Sequence, residues 1–199
     1  KRNIGENENY INELIRKDDI EKFIIFVNKE NIRLDSLVTS SIYETNSFLL
    51  QKTSLIEYAA FFGSIQIFKY LYLNGVRLNS SLWMYGIHGD CPELIHILEE
   101  NKVEAKNYYI CLKEAIKCHH NGLANYIKEN LMIESKKNKF DKNEDAFAFH
   151  YHNYLYLNDK NYNHKSFFYY ACKYDYITIV DILLNTLKLN LNDTIIFFL

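Results

Sequence analysis

The amino-acid sequence predicts an all-α fold, an α-solenoid of stacked helix–turn–helix units, and three observations carry the prediction. The stretch from Ser54 to Gly75 reads as two helices around a tight turn, and its grammar returns four more times along the chain. Only one proline and six glycines occur in 199 residues, too few turn residues for a sandwich or barrel. Apolar residues recur at helical spacing, as Ile65, Phe68, Leu71 and Tyr72 do at i, i+3, i+6 and i+7.

The clearest unit has its turn at Gly63-Ser64. Ser54 followed by Glu57 three residues later fits a capping box, and Asn74-Gly75 supplies the stop. With Gly63 as the register mark, further turns fall at Asp18, Asp90, His119 and Asp175. The last is the firmest, because Ser166 to Leu183 aligns with Ser54 to Leu71 without a gap and matches at Ser166, Tyr170, Ala171, Ile177, Ile179 and Leu183.

The columns through these copies make physical sense. The turn column holds glycine, aspartate and histidine, which tolerate a left-handed backbone. The first-helix column supplies Ala59, Gly86, Ala115 and Ala171, with Leu14 in the first copy, as close packing on a neighbouring helix requires. In the second helix Phe26, Leu71, Leu98, Ile127 and Leu183 are apolar throughout, and so are Phe23, Phe68, Ile95, Ala124 and Val180.

Taken in order, a helix pair from about Tyr10 to Lys29 is charged on its outer side, as an end cap should be. An insert at about 31–50 precedes the Gly63 unit. Pro92 sits just after the Asp90 turn, at a first helical position where proline loses no hydrogen bond. The His119 unit is the weakest, since Asn121 and Gly122 stand where helix formers belong. A second insert, about 134–165, begins as a lysine-rich loop with Lys136, Lys137, Lys139 and Lys142. It continues as AFAFHYHNYLYLNDKNY, whose pattern fits a strand or a helix equally well. Lys1 in place of a starting methionine and the apolar run Thr194 to Leu199 suggest a fragment whose repeats continue past the C-terminus.

Composition narrows the function. At 48% hydrophobic and 24% charged residues the chain is in the globular class. A formal charge of -2 argues against a nucleic-acid binder, which needs clustered cations. No apolar run approaches the roughly 20 residues that span a bilayer, so no membrane insertion is expected. Cys91, Cys111, Cys118 and Cys172 lack paired spacing and read as free thiols in a cytoplasmic protein. Seventeen tyrosines and thirteen phenylalanines exceed what the core columns need. They suit a protein interface, or else reflect AT-rich codon usage that raises Tyr, Asn, Ile and Lys together.

Motifs for catalysis are missing: there is no phosphate-cradling glycine loop, HExxH, nucleophile elbow or CxxC pair. Cys111, Cys118, His119 and His120 have zinc-ligand residue types, but the adjacent histidines diverge by about 100° on a helix, which leaves two or three ligands where a structural site needs four. His88, Asp90 and Cys91 superficially suggest a base and nucleophile, yet their register places them at a turn and a helix end. The expectation is no catalytic residue, no metal and no cofactor.

The repeating segments resemble the ankyrin repeat. Ser54, Ile56, Ala59, Ala60, Gly63, Ile67, Phe68 and Leu71 fall on its T-P-L-H-x-A-A-x-x-G-H-x-E-I-V-x-x-L-L pattern. YAAFFGSIQIFKYL and YYACKYDYITIVDILL, with the Asn, Ile, Lys and Tyr bias, look like a divergent ankyrin-like domain of unknown function expanded in protists. Spacings of 27 residues from Gly63 to Asp90 and 29 from Asp90 to His119 are a little under the 33 of ankyrin units. Leu55 and Glu57 depart from the pattern's proline and histidine. The resemblance implies a single repeat domain over 1–199 that binds another protein through a concave surface, or a structural or regulatory segment packing on its own longer chain. It implies contact residues in the two positions before each turn: Phe61 and Phe62, His88 and Gly89, Lys117 and Cys118, Lys173 and Tyr174.

Overall fold

The computed structural model describes residues 7–39, 41–132, 144–158 and 164–187. All regular elements among them are helical: α1 (Tyr10–Arg16), α2 (Ile20–Lys29), α3 (Leu55–Phe61), α4 (Ile65–Leu73), α5 (Leu82–Gly89), α6 (Pro92–Glu100), α7 (Tyr108–Lys117), α8 (Asn121–Tyr126), α9 (Glu144–His150), α10 (Tyr154–Asn158), α11 (His164–Lys173) and α12 (Ile177–Leu187). Helix α8 runs on into a π-helical turn, Ile127–Leu131. The chain forms two compact units, Lys1–Leu131 and Met132–Leu199.

In the first unit the helices come as antiparallel pairs, α1/α2, α3/α4, α5/α6 and α7/α8. The first helices pack in succession, α1 on α3, α3 on α5 and α5 on α7, while α2 packs on α4. Small residues make this approach possible. Leu14, Ala59 and Ala115 are buried in the first helices, and so is Gly86, where an added Cβ would lie 2.7 Å from the Leu94 side chain of α6. Behind them Phe23, Phe68, Ile95 and Ala124 are buried in the second helices, as are Leu71, Leu98 and Ile127.

Each pair turns through a left-handed residue at the positions marked from the sequence. The φ angles are 49° at Asp18, 65° at Gly63, 43° at Asp90, 63° at His119 and, in the second unit, 59° at Asp175. Neighbouring turns also touch. The Asp18 carboxylate accepts the backbone N–H groups of Gln66 (3.1 Å) and Ile67 (3.0 Å), capping α4 from the preceding pair. The Ser64 hydroxyl donates to the Ile15 carbonyl at 2.6 Å. At the next step Gly63 and Gly89 meet backbone to backbone, with no room for a side chain on either.

The capping box forms. Ser54 Oγ accepts from Glu57 N, and Glu57 Oε2 accepts from Ser54 N at 2.9 Å. Pro92 opens α6. The described residues of the first insert contain no helix. It pairs with the lead-in to α3 through Val38 N to Thr53 O (2.7 Å) and Leu55 N to Ser36 O (3.1 Å), an isolated antiparallel bridge. This anchors the insert so that Phe48 reaches the edge of α5, with its ring 6.0 Å from Tyr85 and 4.6 Å from His88.

The second unit contains a helix pair inside the segment expected to be an insert. Residues 144–158 fold as α9 and α10 around His152, whose φ is 57°. Ala148 lies four residues before this turn and Leu157 five after, and both are buried. These are the same offsets as Ala59 and Phe68 from Gly63. Helix α9 packs on α10 and on α11, and α11 packs on α12. Phe168, Ala171 and Leu183 form a cluster closed by Phe167, Ile179, Val180 and Leu184. The lysine-rich run and the apolar C-terminal run lie outside the described residues.

Candidate functional site

The ends of the first helices bring the expected contact residues of the first unit into one strip. Phe62 packs on Tyr58 (4.8 Å between ring centroids) and on Phe61 (5.1 Å). Phe61 stacks on His88 at 4.7 Å and 25°. Both phenylalanines are half-buried, so they are neither free-standing nor sealed in the core. Lys117 is exposed and reaches Glu114 Oε1 with its ammonium at 2.9 Å. Gly89 offers no side chain to a partner, because its backbone is committed to Gly63 and Ala60.

His88 is the centre of the strip. Its ring lies between Phe61 and Phe48 and is flanked by residues of α7. Cys118 Sγ lies 3.6 Å from Nδ1. Glu114 Oε1 lies 3.1 Å from Nε2, which is buried. Only 14% of the His88 side chain and 13% of Glu114 remain exposed, which makes the pair an internal one.

Electrostatics follow from this burial. Desolvation would raise the Glu114 pKa, but the contacts with His88 and Lys117 outweigh it and hold the carboxyl below its ordinary value. Burial pushes the Cys118 thiol up to about 11, with the Glu114 charge adding to the effect. A thiol of that pKa keeps its proton at neutral pH. A nucleophilic cysteine needs the reverse shift, so the order sulfur, imidazole, carboxylate does not make an activated nucleophile here.

The structure regroups two sets that the sequence order keeps apart. His88 leaves the Asp90 and Cys91 neighbours and meets Cys118 across the α5–α7 contact. Cys111 is buried with its thiol 3.9 Å from Met84 Sδ, and burial pushes it up to about 12. His119 is exposed in its turn, and His120 Nδ1 lies 3.2 Å from Asp90 Oδ2. Glu114, four residues before Cys118 on the same face of α7, went unnoticed in the sequence. Its signal is the i, i+4 spacing of two donor side chains at a helix end.

In the second unit Lys173 is exposed with its ammonium over the Tyr169 and Tyr174 rings, at 5.8 and 5.9 Å. Tyr174 is half-buried and packs near His150, at 5.3 Å between centroids. His150 and Tyr151 occupy the two positions before the His152 turn.

A groove of about 570 Å³ lies between α6 and α8. Ile95 and Leu123 are among its apolar lining residues. Tyr126 closes one wall by donating to the Glu99 carboxylate at 2.8–2.9 Å.

Helix pairs joined by left-handed turns, with an aromatic and ionisable strip at the ends of their first helices, define the class of object. No protein-family model, no curated protein and no solved structure matches the chain. No helix among the described residues is long and apolar enough to cross a membrane.

Proposed function

We propose that this chain is a non-catalytic, ankyrin-like protein-binding module, which presents the ends of its first helices to another protein. The observation that carries the reading is the strip itself. Phe62, Phe61, His88 and, through Glu114, Lys117 come from three successive helix pairs, yet they form one connected strip that runs from the half-buried rings to the exposed ammonium. Its ring contacts and ion pairs are already made, so a partner meets a preformed surface and little side-chain ordering is left to offset affinity. Phenylalanine is among the residue types enriched at the cores of protein interfaces. The protonated Cys118 thiol supports the non-catalytic part of the reading.

The test begins with proximity labelling in the native cell to nominate a partner, which is then purified. Against that partner, Phe62→Ala with Lys117→Ala should weaken binding at least tenfold under conditions where urea unfolding shows both proteins folded, since Phe62 also packs on buried Tyr58 and Lys117 pairs with Glu114. Lys29→Ala, at the end of α2, should leave binding unchanged. Equal affinity for all three proteins, or turnover of a small molecule by the purified chain, overturns the proposal.

A further inference from the structure

Three donor side chains of different chemistry converge at the α5–α7 contact. The His88 imidazole, the Glu114 carboxylate and the Cys118 thiol place one ligand atom each within 4.8 Å of the others. We propose that His88, Glu114 and Cys118 form a binding site for a thiophilic divalent cation, with zinc as the reference ion. This site is independent of the protein-binding reading and stands or falls without it.

The argument is geometric. Glu114 and Cys118 are four residues apart on α7, so they project side by side from one face, while His88 approaches from the neighbouring helix. A triangle of donors with edges of that length has its centre about 2.8 Å from each corner, against roughly 2.0–2.3 Å for zinc bonds to nitrogen, oxygen and sulfur. Contraction alone does not close the site, because Cys118 lies on the Nδ1 side of the His88 ring and Glu114 on the Nε2 side, so the Glu114 side chain must swing to the Cys118 side and release Lys117. The His88 Nδ1 to Cys118 Sγ separation of 3.6 Å is already the edge that a tetrahedral centre spans between nitrogen and sulfur ligands. Nδ1 is therefore the nitrogen that takes the ion. Glu114 Oε1 now lies 3.1 Å from Nε2 and 2.9 Å from the Lys117 ammonium, and both contacts give way when it turns to a cation at Nδ1.

The His88 ring is held ready for an ion. The His88 ring is fixed between Phe48 and Phe61, which removes the entropy cost of orienting it. Three protein ligands leave a fourth position for water, the open arrangement rather than the closed structural one. On binding, the Cys118 S–H bond is replaced by a sulfur–metal bond and the proton goes to solvent, with no change of oxidation state. The donor set, one soft sulfur with one nitrogen and one oxygen, excludes calcium and magnesium, which take oxygen ligands.

Cobalt(II) is the probe, because a cobalt–thiolate bond produces a charge-transfer absorption that no oxygen or nitrogen ligand gives. The full chain should bind one cobalt with that band, and stoichiometric zinc should bleach it. Cys118→Ser should abolish the band at an unchanged unfolding midpoint. The double variant Cys91→Ser with Cys172→Ser should keep it. Zinc affinity, read by competition with a chromogenic chelator, should fall at least tenfold in Glu114→Gln and in His88→Gln. No thiolate band in the wild-type chain, or a band that survives in Cys118→Ser, overturns the site. Should His88→Gln fail to fold, Glu114→Gln and Cys118→Ser decide the matter by themselves.

Discussion

Substituting Gly89 by alanine adds a single methyl group, and the structure has nowhere to put it. A Cβ at Gly89 would lie 2.3 Å from the Ala60 carbonyl oxygen, 2.8 Å from Gly63 N and 3.0 Å from Gly63 Cα, whereas ordinary contact begins near 3.4 Å. The obstacle is backbone, so no side chain can swing aside. Relief requires the ends of α3 and α5 to separate by about 1 Å, and both are fixed by fully buried neighbours, Ala59, Ala60 and Ile87. Overpacking of this kind costs about 1–3 kcal/mol, and a backbone clash belongs at the upper end. We therefore expect Gly89→Ala to destabilise the first unit by about 3 kcal/mol. Gly122→Ala is the internal control, because a Cβ there meets nothing within 4 Å. Removing glycine from a helix that has room for a side chain should stabilise by about 0.5–1 kcal/mol. Urea unfolding read by far-ultraviolet circular dichroism gives both values from the midpoints at constant m. A Gly89→Ala midpoint no lower than wild type would show that these two helix pairs do not meet as described.

Other perturbations probe separate parts of the first unit. Asn12 is fully buried, and neither amide atom has a hydrogen-bond partner, so Asn12→Leu should raise stability by about 1–2 kcal/mol in the same urea assay. Ser54→Ala removes the helix cap of α3 and should cost about 1 kcal/mol, with Glu57→Gln costing less because its amide oxygen still accepts from Ser54 N. In native protein Ellman's reagent should modify Cys172, which is exposed, and leave Cys111 untouched until unfolding. Burial raises the Cys111 thiol from 9.0 to about 12, so its contribution is complete below pH 9 and is lost as pH rises toward 12. At pH 10 that loss is about 1.4 kcal/mol, and Cys111→Ala should flatten the alkaline decline in urea stability by that amount.

Much of the architecture was legible because repeats write the same physics several times over. The turn marks came from residue types that accept a left-handed backbone, and all five adopt one. The buried columns came from small and apolar residues at fixed offsets, which a stacked helix pair cannot do without. The His152 pair was legible in principle, since Ala148 and Leu157 stand at the standard offsets. It was obscured by aromatic residues that suit a strand as well as a helix, and by a lysine-rich lead-in that breaks the register. The site was less legible. His88 and Cys118 each occupy a position before a turn, but their meeting depends on how far α5 and α7 slide past one another. That distance is set by side-chain packing between α5 and α7 around the buried Ala115, which spacing along the chain does not give.

The Gly63–Gly89 contact explains why chemistry gathers at one step of the strip. Between the Gly63 and Asp90 turns the backbones at the ends of α3 and α5 touch, with no room for a side chain. Phe61 is thereby laid flat on His88. The ring has no freedom left to follow α7, and whatever α7 offers must come to it. Glu114 and Cys118 do so from one helical face and approach opposite ring nitrogens. A cation bridging α5 and α7 would tie two successive helix pairs together at the surface proposed for protein binding. By linkage, any partner that senses the spacing of those pairs must then change the metal affinity by the same factor as the metal changes its own. That equality is measurable on both sides of the cycle, and a partner indifferent to the cation would place its footprint on the strip away from His88.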